Sequence, residues 1–165
     1  MMSADLYIDA SVCDKRKNGK CVAFVMVGDE EEYLWAQHIT HNLLLQIWPY
    51  KTKVIKVSIG SAAYETYSLF GFTQFLINKQ ITDISFTCYT DSKHLYDVFN
   101  RLGVFKKINK RIYESLLVNI NILKRRNVTF DVRWIKAHVD VYGNEKADYY
   151  TRNSDKQIQP IESLT

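Results

Sequence analysis

The stretch WIKAHVDVYGNEKAD, residues 134–148, carries the densest set of signals in the chain. It runs from Trp134-Ile135, read as the buried end of a strand, through a glycine-containing loop with His138, into a short helix opened by Asn144 and bearing Asp148. A histidine and a carboxylate on either side of a strand-to-helix turn can handle a proton and a divalent ion close together. A capped helix beside a solvated loop accounts for the same residues. The choice between the two rests on what the remaining chain brings to this turn.

Upstream, VTFDVRWI (128–135) is the strand that feeds the turn. It follows an amphipathic helix over about 107–126, where Ile112, Leu116, Ile120 and Leu123 fall on one stripe and a basic last turn complements the helix dipole. ITDISFTCYT (81–90) is a strand ending at Asp91, and SKHLYDVFNRL (92–102) is a helix stopped by Gly103. From Ser61, a plausible cap, to Asn78, residues Tyr64, Leu69, Phe72, Phe75 and Leu76 recur at helical spacing, with Glu65 in the first turns. Residues 40–59 read as a short helix followed by a strand.

At the N-terminal end, DLYIDASVC (5–13) alternates with period two and carries Asp9 at its middle. Asn18-Gly19 marks the tip of a turn, CVAFVMV (21–27) is the returning strand, and YLWAQHI (33–39) continues the meander. The order predicts an α/β fold: a five-stranded mixed sheet, three antiparallel strands then parallel ones, flanked by helices. One domain is expected over 1–165, with its core at about 5–152, an insertion at about 40–56 and a frayed tail at about 153–165.

Composition narrows the classes. With 47% hydrophobic, 24% charged and 13% aromatic residues, the chain is a folded protein, not a disordered one. No apolar run approaches the roughly 20 residues of a membrane span. No signal pattern precedes the first strand. Cys13, Cys21 and Cys88 lack metal-ligand spacing and read as reduced thiols, so a cytoplasmic location is expected, with a monomer as the simplest state. Cys13 and Cys21 could face one another across the hairpin, but unpaired strand cysteines fit better. The net charge of +4 is modest. Its clustering at Lys15, Arg16, Lys17 and Lys20, at Lys51, Lys53 and Lys56, at Lys106, Lys107, Lys110 and Arg111, and at Lys124, Arg125 and Arg126 favours phosphate contacts.

Asp9, Glu65, Asp91 and Asp148 each have an ordinary explanation as a cap or dipole partner, except Asp9, whose charge within an apolar strand is costly. A sheet edge could gather all four. Four such carboxylates would raise one another's pKa unless a cation joined them, and an all-oxygen set selects Mg²⁺, with Mn²⁺ as a substitute. Two ions roughly 4 Å apart can activate water and stabilise a leaving oxygen in phosphodiester hydrolysis, which points to a nuclease.

The blocks YIDAS around Asp9, the Glu65 helix, YTDSK around Asp91 and WIKAHVDVYGNEKAD resemble, in order and spacing, those of the ribonuclease H family, over about residues 5–152. The resemblance implies an endonuclease for the RNA strand of RNA/DNA hybrids. It makes Asp9, Glu65, Asp91 and Asp148 the metal ligands and His138 a mobile group aiding proton transfer and product release. Ser11, Ser61, Lys93 and Asn144 are expected to touch substrate.

Departures bear on specificity. Ala10 stands where the family usually has glycine, and Asp140, another such position, is read as a loop residue. Ser61, Ala62 and Ala63 replace the amides that commonly precede the helix glutamate, leaving Ser61 and backbone groups to read the 2′-hydroxyl. No separate basic handle helix is present, though Lys106, Lys107, Lys110 and Arg111 could partly replace it. The competing readings are a nuclease of this fold acting on DNA junctions and a non-catalytic nucleic-acid-binding module. The chain opens on Met1-Met2, and a free-standing protein is the expectation.

Overall fold

The computed structural model describes residues 1–13, 15–48, 61–100, 107–136, 141–154 and 158–164, with the backbone alone at 107–110 and 112. The strands are β1 (Met2–Cys13), β2 (Asn18–Val27), β3 (Glu31–Thr40), β4 (Ile84–Thr90), β5 (Val128–Trp134) and β6 (Gln159–Pro160), in the sheet order β5-β4-β1-β2-β3-β6. β1, β2 and β3 form the antiparallel meander, while β4 joins β1 and β5 joins β4 in parallel. The helices are α1 (His41–Ile47), α2 (Ser61–Asn78), α3 (Lys93–Asn100), α4 (Lys107–Arg125) and α5 (Tyr142–Arg152). The mixed sheet flanked by helices is the expected α/β architecture, with six strands among the described residues where five are expected.

The extra strand comes from the tail. Residues 158–164 are not frayed: β6 pairs in parallel with Tyr33 and Leu34 of β3, and Ile161 and Leu164 are buried in the core. A proline in this strand fits the place of β6 at the sheet's edge. Ile161→Ala is expected to cost about 2–5 kcal/mol, as for other core truncations. Urea unfolding checks this, and an unchanged midpoint would remove the tail from the core.

Alternation along β1 sorts its two faces. Ala4, Leu6 and Ile8 join the main core beneath α2, while Tyr7 packs with Val22, Phe24, Ala147 and Tyr150 beneath α5. α2 is buried on more than one stripe. Tyr64, Leu69, Phe72 and Leu76 are fully buried, as their spacing predicts, but so are Thr66, Ser68 and Thr73. Thr66 donates within the helix to the Ala62 carbonyl (2.8 Å) and Thr73 to that of Phe70 (2.7 Å), while Ser68 shares its proton between the Tyr64 carbonyl (3.1 Å) and the Asp9 carbonyl of β1 (2.9 Å). The helix can therefore lie between sheet and α4 without stranding a donor.

Several boundaries differ from expectation. Asn18 and Gly19 are not a turn tip; both lie in β2, opposite Cys13 and Val12. The hairpin turns instead through 15–17, with Lys17 at φ 50°. Gly19 is required by a close approach: a Cβ there would stand 2.5 Å from the Ser11 carbonyl oxygen and 2.6 Å from the Tyr64 ring. Cys21 pairs with Ala10, not Cys13, and all three thiols are free. The helix expected after residue 40 is α1, capped by Thr40, whose hydroxyl accepts from the Leu43 amide; the strand expected to follow it lies outside the described residues. Among the described residues no helix is long and apolar enough to cross a membrane.

Candidate active site

β4 ends at Thr90, while β1 runs on to Cys13 paired only with β2. That difference in length opens a notch at the C-terminal end of β4. The parallel register, which sets Tyr7 beside Tyr89, carries Asp9 to the level of Asp91 two residues further along both chains. Glu65 comes from α2. One turn beyond it, the Ser68 hydroxyl donates to the Asp9 carbonyl (2.9 Å), which fixes the helix against this part of β1.

Asp9, Glu65 and Asp91 consequently each offer a carboxylate oxygen within 4.8 Å of the others. Asp9 is 6% exposed and accepts from the Ala10 amide (2.8 Å). Burial, followed by the charge of Asp91 and then those of Asp148 and Glu65, pushes its pKa from 3.8 up to about 8, against the lowering effect of the Ala10 amide. Burial likewise raises Glu65, with Asp91 adding to it, and a hydrogen bond from Ser92 opposes the rise. A set of carboxyl groups crowded and desolvated in this way is poised for a hard cation, which would remove the penalty on the ionised form.

Asp148 stands apart from this trio. It is exposed near the middle of α5, where Arg152 one turn on holds both its oxygens at 2.8 and 2.9 Å. Its charge still reaches Asp9. α5 begins at Tyr142 with Val141 at the cap position, so Asn144 is a buried residue inside the helix and does not open it. His138 and Asp140 lie outside the described residues.

Of the expected substrate contacts, Ser11 donates its hydroxyl to the Thr151 carbonyl (2.9 Å) and so ties β1 to the last turn of α5. Ser61 is exposed at the first residue of α2, and Lys93 is exposed at the start of α3. Trp134, expected to be buried, is 45% exposed because β5 is the edge strand.

Ser92 was not singled out by the sequence, although a serine just before Lys93-His94-Leu95 occupies a helix N-cap position. It is buried, its hydroxyl accepts from the Leu95 amide (3.1 Å), its own amide donates to Thr90 (3.0 Å), and it hydrogen-bonds Glu65. Ser92→Ala is expected to cost ~0.5–2 kcal/mol through the lost cap. Thermal unfolding in metal-free buffer reads this, and an unchanged melting temperature would contradict it.

The family model for RNase H matches residues 2–155 of 165, and the chain belongs to that family. These are hydrolytic nucleases of RNA/DNA hybrids that generally use divalent metals, and the trio of Asp9, Glu65 and Asp91 is a group that could hold such an ion. No curated protein sequence matches the chain.

Proposed function

We propose that this protein is a metal-dependent endonuclease that hydrolyses the RNA strand of RNA/DNA hybrids by two-metal-ion chemistry. The observation that carries the reading is the trio itself: three carboxylates within 4.8 Å, one of them buried in a strand with its pKa raised to about 8. An isolated buried carboxylate is a cost that a fold has no structural reason to keep. An all-carboxylate donor set fits Mg²⁺, with Mn²⁺ as a substitute.

Asp9, Glu65 and Asp91 would hold the ions, with Asp148 joining from α5. Bound there, divalent ions supply charge neutralisation at the phosphate and polarisation of water. The chain's own residues do the rest. β1 holds Asp9, Asp91 follows directly on the last residue of β4, and Ser68 and Ser92 anchor α2 so that Glu65 keeps its place. Arg152 orients Asp148 by holding both its carboxylate oxygens. His138, four residues before the start of α5 in sequence, is assigned proton transfer and product release. Ser61 and the first backbone amides of α2 are assigned to the 2′-hydroxyl, the group that separates RNA from DNA.

The test compares a labelled RNA/DNA hybrid, an RNA duplex and a DNA duplex with wild-type protein in Mg²⁺ and in Mn²⁺. Cleavage confined to the RNA strand of the hybrid is expected. Equal cutting of the DNA duplex would favour a nuclease of the same fold with another substrate, and binding without cutting would favour a non-catalytic module. His138→Ala should slow hydrolysis by roughly 10²–10⁴-fold without abolishing it; full activity would remove the role assigned to His138.

A further inference from the structure

Trp134 is the one tryptophan of three with an open ring, at 45% exposed against 8% for Trp35 and 3% for Trp48. It ends β5 and borders an open groove of about 490 Å³ that is also lined by Lys93, Tyr96, Asn100, Asp131 and Arg133. The groove is linked to the carboxylate trio through Asp91, the residue that Trp134 touches. The Trp134 indole N–H donates to the Asp91 backbone carbonyl (3.3 Å), and the Lys93 ammonium stands 5.8 Å from the ring centroid. Among the described residues no strand lies beyond β5.

A large ring held by a hydrogen bond and a cation, yet left open, is a stacking platform. Its neighbours choose between occupants. Lys93, Asn100, Asp131 and Arg133 give the groove polar walls that would not enclose an apolar side chain, whereas a nucleobase needs only one π face and tolerates polar surroundings. Arg133 is already ion-paired with Asp131 at 3.0 Å, which leaves Lys93 as the groove's cation for a phosphate.

We propose that this groove binds an unpaired nucleotide of the nucleic acid engaged at the carboxylates, with its base stacked on Trp134 and its phosphate against Lys93. The proposal rests on the nuclease reading for the source of that nucleotide. A strand that leaves the hybrid at this flank would be held at its first unpaired base, so hybrids with a single-stranded extension would bind more tightly than blunt ones.

The experiment uses the full chain in EDTA, where no cleavage occurs, and follows tryptophan fluorescence, which Trp134 dominates for a solute quencher because the other two rings are buried. A short single-stranded oligoadenylate should quench it saturably; an abasic oligomer of the same length and inorganic phosphate should not. Trp134→Leu should weaken oligoadenylate binding about 5- to 100-fold by anisotropy, while Trp134→Phe keeps most of it. Lys93→Gln should retain the quench and flatten the logarithmic salt dependence by ~0.7.

Quenching by the abasic oligomer equal to that by oligoadenylate, or none by either, would overturn the proposal. So would unchanged binding by Trp134→Leu. Should that variant fail to fold, the abasic comparison and Lys93→Gln decide alone. The two readings separate cleanly: saturable quenching in a protein that cuts no hybrid would sink the nuclease reading alone, and hybrid cleavage without quenching would sink the groove alone.

Discussion

Asp9→Asn is expected to raise the melting temperature of the metal-free protein at pH 9 while eliminating Mg²⁺-dependent hydrolysis. The pKa of Asp9 in the folded chain is about 8, above its ordinary 3.8. A carboxyl raised on folding contributes stability that is complete below its unfolded value and is lost as pH climbs through the folded value. Metal-free wild-type protein should therefore weaken between about pH 4 and pH 8, and Asn at this position should not. At ~1.4 kcal/mol per tenfold change in proton affinity, the displacement is worth several kcal/mol, or a melting shift on the order of 10 °C. Asparagine retains the oxygen that accepts the Ala10 amide, so the fold keeps this bond. Differential scanning calorimetry across pH reads the effect. A variant less stable than wild type at pH 9 would mean that Asp9 is not the strained group described. Activity should fall by on the order of 10³-fold or more, as expected when one member of a cooperating set is lost.

Gly143→Ala is the second large effect, and its sign is the test. In an ordinary helix this change stabilises by up to ~1 kcal/mol. Here a Cβ would stand 2.1 Å from Cε2 and 2.3 Å from Cδ2 of Tyr7. Tyr7 has little room to yield, since it also packs against the cluster of Val22, Phe24 and Tyr150 and stacks on Tyr89 at 5.0 Å between ring centroids. α5 must therefore lift from β1, at a cost of about 1–3 kcal/mol or more. Because Asp148 rides on α5, hydrolysis should fall as well. Shortening the obstructing side chain with Tyr7→Leu in the Gly143→Ala background should recover part of the loss. Guanidinium unfolding of the single and double variants checks both statements, and a Gly143→Ala protein as stable as wild type would contradict the packing described.

Much of this site is legible in the sequence. Asp9 was conspicuous as a charge inside an apolar strand, Asp91 as the residue at which a strand stops, and Glu65 as an acid early in a helix whose bounds followed from its periodicity. The parallel crossover rule then brings Asp9 and Asp91 together, because it specifies which strand ends meet. What was not legible depended on contacts distant in sequence. Asn18-Gly19 looks like a turn, yet Gly19 serves the Tyr64 ring from a helix far along the chain. The tail shows no periodicity, yet Ile161 and Leu164 fill the core. Trp134 reads as buried because it stands with Ile135 at the end of a strand, and the sheet order, with β5 at the edge, leaves it exposed. The pairing of Asp148 with Arg152 was available from their spacing of four residues. Its consequence, an Asp148 set apart from the trio, was not.

The role proposed for the carboxylates gathered at the end of β4 is to drive RNA hydrolysis by holding divalent ions. A Mg²⁺ titration of cleavage tests it most directly, using an end-labelled RNA strand in a hybrid at pH 8 with wild-type, Asp9→Asn and Asp91→Asn proteins, each first verified as folded. RNA fragments should form with wild-type protein alone, rise with Mg²⁺ and vanish in EDTA. Cleavage by either variant at the wild-type rate, or wild-type cleavage that persists in EDTA, would contradict the account.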